Sequence, residues 1–200
     1  MPDYPPNWSV QETTPIGAEP VATSDVKHYA RIDTTADDVL VAALTSAARR
    51  MVQQEQHRQL IQQTLVLWAD GWPNSASLQM PRPPLSSVTS VQYVAANTAD
   101  STSLTTMPSS DYLVDANQTP GRISLRPTGS WPDIAAVPNA IKVTYVAGTT
   151  SIPDPTALAI KMLATHLYEH RTPVGGADAR VEIPYGLQAL IHAGRWGSLH

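Results

Sequence analysis

The chain has no cysteine, no phenylalanine, only three lysines among its 200 residues, and no run of eighteen apolar residues. Without cysteine there is neither a disulfide nor a thiolate-bound metal. Without phenylalanine, the bulk of any core must come from Trp, Tyr, Leu and Val. No stretch is long and apolar enough to span a membrane as a helix, and no membrane partner is expected. The opening residues, MPDYPPNWSVQETTP, show no basic start and no apolar stretch, so a secretory signal is not expected there. A G-x-S-x-G elbow is missing. So is a P-loop, because Gly175-Gly176 lacks both the following Lys-Ser/Thr and the preceding strand of a phosphate cradle. Charge is also scarce: 13 Lys and Arg against 17 Asp and Glu, a net −4. That is too mild for a protein that coats nucleic acid.

Proline is abundant, 18 residues of 200. Such a chain needs many stiff connections and edge strands. Two hundred residues suit one domain, or one domain with an inserted lobe. The first 22 are rich in Pro, Thr and Glu and read as a flexible N-terminal arm, or as an arm strapping onto a neighbouring subunit through Trp8.

Residues 24–63 organise the rest. Ser24 or Thr23 can cap a short helix over 25–31, with Val26, Tyr29 and Ile32 on one face. Asp33-Thr34-Thr35 breaks it, and Asp37 and Asp38 occupy the first turn of a long helix over about 36–58. At about 100° per residue, Leu40, Leu44, Ala47 and Met51 form its core stripe, and Asp38, Thr45, Arg49, Gln53 and Gln56 lie opposite. Val39, Val41 and Val52 fall outside that stripe. They read either as surface valines or as subunit-interface residues on a helix touched from several sides.

The period then changes. Residues 64–70, 77–80, 87–96, 112–114, 123–125 and 141–146 read as strands. Ile141, Val143 and Tyr145 alternate with Lys142, Thr144 and Val146. Asp154-Pro155 opens a helix to about Arg171, with Ile160, Leu163, Ala164 and Leu167 inward. A last short helix runs from Ile183-Pro184 to about Ala193. The expected class is therefore α+β: a mostly helical bundle of a short helix, a long helix and C-terminal helices, carrying an inserted small antiparallel β-sheet lobe. Its parts are the arm (1–22), helical parts at 23–63 and 151–173, the β lobe at 64–150, and a C-terminal segment at 174–200.

One chemical motif stands out. His166-Leu-Tyr-Glu169-His170 spells H-x-x-E-H, which places two histidines on one helical face beside a glutamate, as zinc hydrolases do. The only downstream glutamate is Glu182, twelve residues on and beyond a glycine-rich stretch. Both histidines sit near a helix C-terminus, where they favour the dipole, and the expectation is a structural role with no catalytic residue, metal or cofactor. A binding module that presents Trp72 and Trp131 to a glycan or protein is a further alternative.

The layout resembles the head–tail connector (adaptor, head-completion) proteins of tailed bacteriophages and prophages, in their larger, β-containing branch. The resemblance is carried by Asp25-Val-Lys-His-Tyr-Ala-Arg-Ile-Asp33, by Asp37-Asp38-Val-Leu followed by Leu44-Thr-Ser-Ala-Ala-Arg49, and by Gln59-Leu-Ile-Gln-Gln-Thr64. It continues through Pro84–Tyr93, Asp111–Asp115, Gly129–Pro132 and Val143–Gly148, and ends in His166-Leu-Tyr-Glu-His-Arg171, which accounts for the H-x-x-E-H without zinc. The family's usual glycine before Arg58 is His57 here, which puts the end of the long helix in question. The resemblance implies a homo-oligomeric ring, commonly of twelve copies, below the portal in the virion neck, assembled in the host cytoplasm. Such a ring extends the DNA channel, helps to retain packaged double-stranded DNA without reading its sequence, and offers a surface to stopper or tail-completion proteins. The C-terminal segment would contact the portal protein, with Tyr185, Leu187, Arg195 and Trp196 as candidate anchors.

Overall fold

The computed structural model describes residues 4–98, 103–170 and 185–195, with Tyr185 described in its backbone alone. The chain divides into two compact units: Met1–Ile16 with Ile61–Thr150, and Gly17–Leu60 with Ser151–His200.

Among the described residues the first unit is all β. Its strands are β1 (Ser9–Glu12), β2 (Gln63–Ala69), β3 (Ser77–Gln79), β4 (Leu85–Tyr93), β5 (Thr105–Thr106), β6 (Tyr112–Asp115), β7 (Arg122–Leu125) and β8 (Ile141–Ala147). They form a five-stranded sheet in the order β1-β2-β8-β4-β5 and a three-stranded sheet in the order β3-β7-β6, with every strand pairing antiparallel. The alternation of β8 decides which face is inside. Ile141, Val143, Tyr145 and Ala147 are buried, as are Leu65, Leu67 and Ala69 of the neighbouring β2. Leu78, Tyr112 and Ile123 of the second sheet join the same core, so the unit is two sheets over one apolar interior. The expected α+β class holds, but the β part is larger than one small sheet.

Residues 9–12 belong to it. The stretch expected as a flexible arm pairs with β2 in the register Ser9–Trp68 to Glu12–Leu65, and Glu12 takes an ion pair from Arg82 at 2.7 Å. Where β8 ends, Gly148 (φ +100°) accepts a conformation that L side chains resist, and its N–H donates to the Pro84 carbonyl at 2.9 Å.

The second unit is helical: α1 (Thr23–Ala30), α2 (Asp38–Glu55), α3 (Asp154–Glu169) and α4 (Tyr185–Ala193). No side chain caps α1 or α2 at its start. Asp37 instead receives the Tyr168 hydroxyl of α3 at 2.6 Å. Both helices end in the same way. Arg31 (φ 55°) and His57 (φ 52°) turn left-handed. Ile32 N–H then bonds the Lys27 carbonyl, and Arg58 N–H bonds that of Gln53. His57 thus adopts the conformation that a glycine would supply, and the helix stops without one.

Candidate assembly surfaces

The burial of α2 reverses the sequence expectation. Its inner face is Val41, Thr45, Ala48, Arg49, Val52 and Gln53, all buried. Val41 and Val52, expected at a subunit interface, are core residues of this unit. The polar members can be buried because each finds a partner. Glu19 takes the Arg49 Nε–H at 2.8 Å and also accepts from the Ser46 hydroxyl. Thr45 Oγ1 bonds the Val41 carbonyl at 2.7 Å. Gln53 Oε1 accepts Leu60 N–H at 3.2 Å, and just past the helix Gln56 Nε2 donates to the Ile191 carbonyl at 3.1 Å. Buried polar groups are tolerated when they are bonded in this way.

What was expected as the core stripe is the outer face. Val39 is 86% exposed and Met51 41% exposed. Leu40, Leu44 and Ala47 are half-buried, and Ala43, Arg50 and Gln54 are exposed. Val39 alone of the three valines keeps its place as an interface candidate.

On another side of the unit, Tyr29, Ala30 and Arg31 of α1 and Met162, Thr165, His166 and Glu169 of α3 line an open cleft of about 410 Å³. Tyr29 is 45% exposed. Two polar atoms buried at this cleft, Thr165 Oγ1 and His166 Nε2, have no hydrogen-bond partner among the described residues.

The H-x-x-E-H residues sit at the end of α3. The imidazoles of His166 and His170 pack at 4.4 Å, and His170 Nδ1 lies 2.9 Å from the His166 carbonyl oxygen. No group of three or more His, Asp or Glu among the described residues is placed to hold a metal. Glu182 lies outside them.

The C-terminal candidates divide. Leu187 is buried against the helical core with Ile191, so it is a packing residue rather than a free portal anchor. Gly194 closes over Gln56, where a Cβ would meet Nε2 at 2.3 Å. Arg195 is exposed, and its guanidinium reaches His57 Nε2 at 3.1 Å. Tyr185 opens α4, and Trp196 falls outside the described residues. Removing 174–200 would therefore strip the core residues Leu187 and Ile191 from the helical unit. Trp8 is 42% exposed and packs on Tyr4 at 5.2 Å.

Trp72 and Trp131 do not form a ligand platform. Their rings stack on each other at 4.5 Å, and their indole N–H groups donate to the Pro132 and Ser75 carbonyls at 2.9 and 2.8 Å. Both faces and handles are used in holding loops of the sheet unit together.

The chain resembles one from the neck of an empty gene transfer agent (GTA) particle computed with C6 symmetry, at TM-score 0.76 and 20% identity over 96% of this chain and 97% of that one. It also resembles a chain from the virion of a native gene transfer agent particle, at TM-score 0.74 and 20% identity with the same coverage. A third similar chain comes from the neck of a native GTA particle computed with C12 symmetry, at TM-score 0.75 and 18% identity, again over 96% and 97% of the two chains. No curated protein matches the chain. The family model described as head completion protein matches residues 21–175, which include all of α1, α2 and α3 and most of the sheet unit. The chain therefore belongs to the head completion protein family, whose members are structural components of phage particles rather than enzymes.

Proposed function

We propose that the protein forms a homo-oligomeric ring of twelve copies in the virion neck, directly below the portal. The ring extends the DNA channel, helps to retain the packaged genome, and presents its far side to a stopper or tail-completion protein. The observation that carries this reading is the likeness, over nearly the whole of both chains, to subunits of particle necks that were computed with C6 and C12 symmetry. Family membership supports it independently.

The mechanism is mechanical. Each contact in such a ring is weak, and the portal templates many at once, so that occupancy rises steeply by avidity. A net charge of −4 suits a channel through which DNA slides, because a dense cationic lining would release counterions and hold the duplex. Tyr185, Arg195 and Trp196 are the portal-facing candidates, since Leu187 is committed to the core.

Native mass spectrometry of the full chain, alone and with portal from the same phage, tests the reading. Addition of about one copy per portal subunit, without a metal adduct, supports it. Indifference to the portal refutes it, and a stoichiometric zinc adduct lost on His166→Ala would point to the hydrolase instead.

A further inference from the structure

We propose that the outer face of α2 in one copy seats in the α1–α3 cleft of the next, so that a single head-to-tail contact, repeated, closes the ring. The proposal rests on the ring reading above and adds to it the two surfaces that meet.

α2 buries the side bearing Val41, Ala48 and Val52, and α3 is buried through Ala159, Ile160 and Leu163. Met51, Gln54 and Glu55 of α2 line an open cleft with Leu163 of α3 and Ile191 of α4, so the part of the outer face that points away from α3 is the one bearing Val39, Ala43 and Ala47. The outer residues of α3, Leu158 and Met162 among them, point away from α2. The helical unit thus exposes two unlike apolar surfaces. A two-fold contact would need one self-complementary patch, whereas a closed ring needs two different patches that fit each other.

The α2 face is a ridge in which Ala43 and Ala47 lie between the larger Val39, Leu40 and Leu44. Small residues at that spacing let a second element approach the helix closely. The cleft is concave, with Tyr29 and Met162 offering apolar walls.

Thr165 Oγ1 and His166 Nε2 are buried in the free subunit with no partner among the described residues. A threonine within a helix ordinarily bonds the carbonyl four residues back, as Thr45 does. The α2 face brings Gln54, whose amide carries both donors and an acceptor and can satisfy both atoms.

The ridge carries exposed Arg50, and the cleft rim carries Glu169. Neither takes part in an ion pair among the described residues. Seating the ridge in the cleft pairs Arg50 with Glu169.

The absence of cysteine makes the test clean. Ala47→Cys on the ridge and Ala30→Cys in the cleft are both small changes. Full-length chains carrying both are oxidised under conditions where rings form, with portal present as the template. A ladder of covalent dimers, trimers and higher species is expected from the double variant and none from Ala47→Cys alone. Arg50→Glu should weaken assembly about fivefold per contact, and Glu169→Arg on the same chain should restore it. Dimers from Ala47→Cys alone would overturn the head-to-tail arrangement. Rings that form without either the ladder or the charge-swap rescue would overturn the surfaces while leaving the ring reading intact. Absence of any ring, with or without portal, would remove the ring reading and this inference with it. Rescue without the ladder supports the two surfaces, and puts the cysteines more than about 7 Å apart.

Discussion

Replacing Gly148 by alanine should unfold the sheet unit at a much lower temperature. The residue sits at φ +100°, where a Cβ is disfavoured by about 1–2 kcal/mol. The added carbon would lie 2.2 Å from the Ile61 carbonyl oxygen, 2.4 Å from its carbon and 2.8 Å from Gln62 N. These are backbone atoms and cannot rotate away. Relief requires separating residue 148 from the segment beside it. That endangers the bond from Gly148 N–H to Pro84 and the one from Gln62 N–H to the Thr149 carbonyl at 3.1 Å. At about 1 kcal/mol for each bond, the total is about 3–4 kcal/mol. For a unit of roughly a hundred residues, Tm falls by about 4 °C per kcal/mol, or about 12–16 °C in all. Trp8, Trp68, Trp72 and Trp131 all belong to this unit, so tryptophan fluorescence during heating reports on it directly. Gly17→Ala is the control, since nothing lies within 4 Å of its would-be Cβ. A Gly148→Ala protein melting within a few degrees of the parent would refute this account of the close approach.

Other predictions concern the buried polar groups. Glu19→Ala leaves Arg49, whose side chain is 5% exposed, without its carboxylate, and should cost about 3 kcal/mol in urea unfolding followed by the far-ultraviolet helix signal. Adding Arg49→Met should recover most of that loss; failure to recover would mean that Glu19 acts through something other than the pair. Burial pushes the Tyr145 hydroxyl, which donates to the Pro81 carbonyl at 2.9 Å, well above its ordinary value of 10.0. The unfolded chain therefore loses this proton first. The stabilisation is complete below about pH 10 and is lost as the pH rises beyond it. Unfolding free energies measured at increasing alkaline pH should show that fall, and Tyr145→Phe should flatten it; an unchanged slope would place the effect elsewhere.

Much of the fold was legible because local rules and tertiary structure agree. The strict alternation of 141–146 separated the two faces of β8, and Asp154-Pro155 located the start of α3 to within one residue. The long helix was found, but its faces were exchanged. Hydropathy selects Leu40, Leu44, Ala47 and Met51, while the chain buries Thr45, Arg49, Gln53 and Gln56, because Val41, Glu19, Leu60 and Ile191 supply their partners. The partners of Arg49 and Gln56 lie 30 and 135 residues away, beyond any local window of sequence. β1 was missed for a related reason. A proline-rich segment with isolated aromatics has no strand signature of its own and becomes a strand only because β2 offers it an edge. Of the candidate interface, the exposed Val39 was marked, but the cleft was not. It depends on α1 and α3, which are separated by more than a hundred residues, and on two polar atoms whose lack of partners only coordinates reveal.

The interleaving of the two units sets the order in which this protein can be made. The helical unit is split, and residues 61–150 come off the ribosome between its halves. All eight strands of the described residues are complete once Ala147 has emerged, so the sheet unit can close during synthesis. α1 and α2 cannot finish, because α3, on which both pack, is still unmade. At ordinary elongation speeds that wait lasts roughly 5–20 s. Throughout it α1 and α2 have each other but lack α3, and the outer face of α2 stays exposed afterwards as well. A nascent-chain binding factor is most needed in that interval, and it has two adjacent helices to protect.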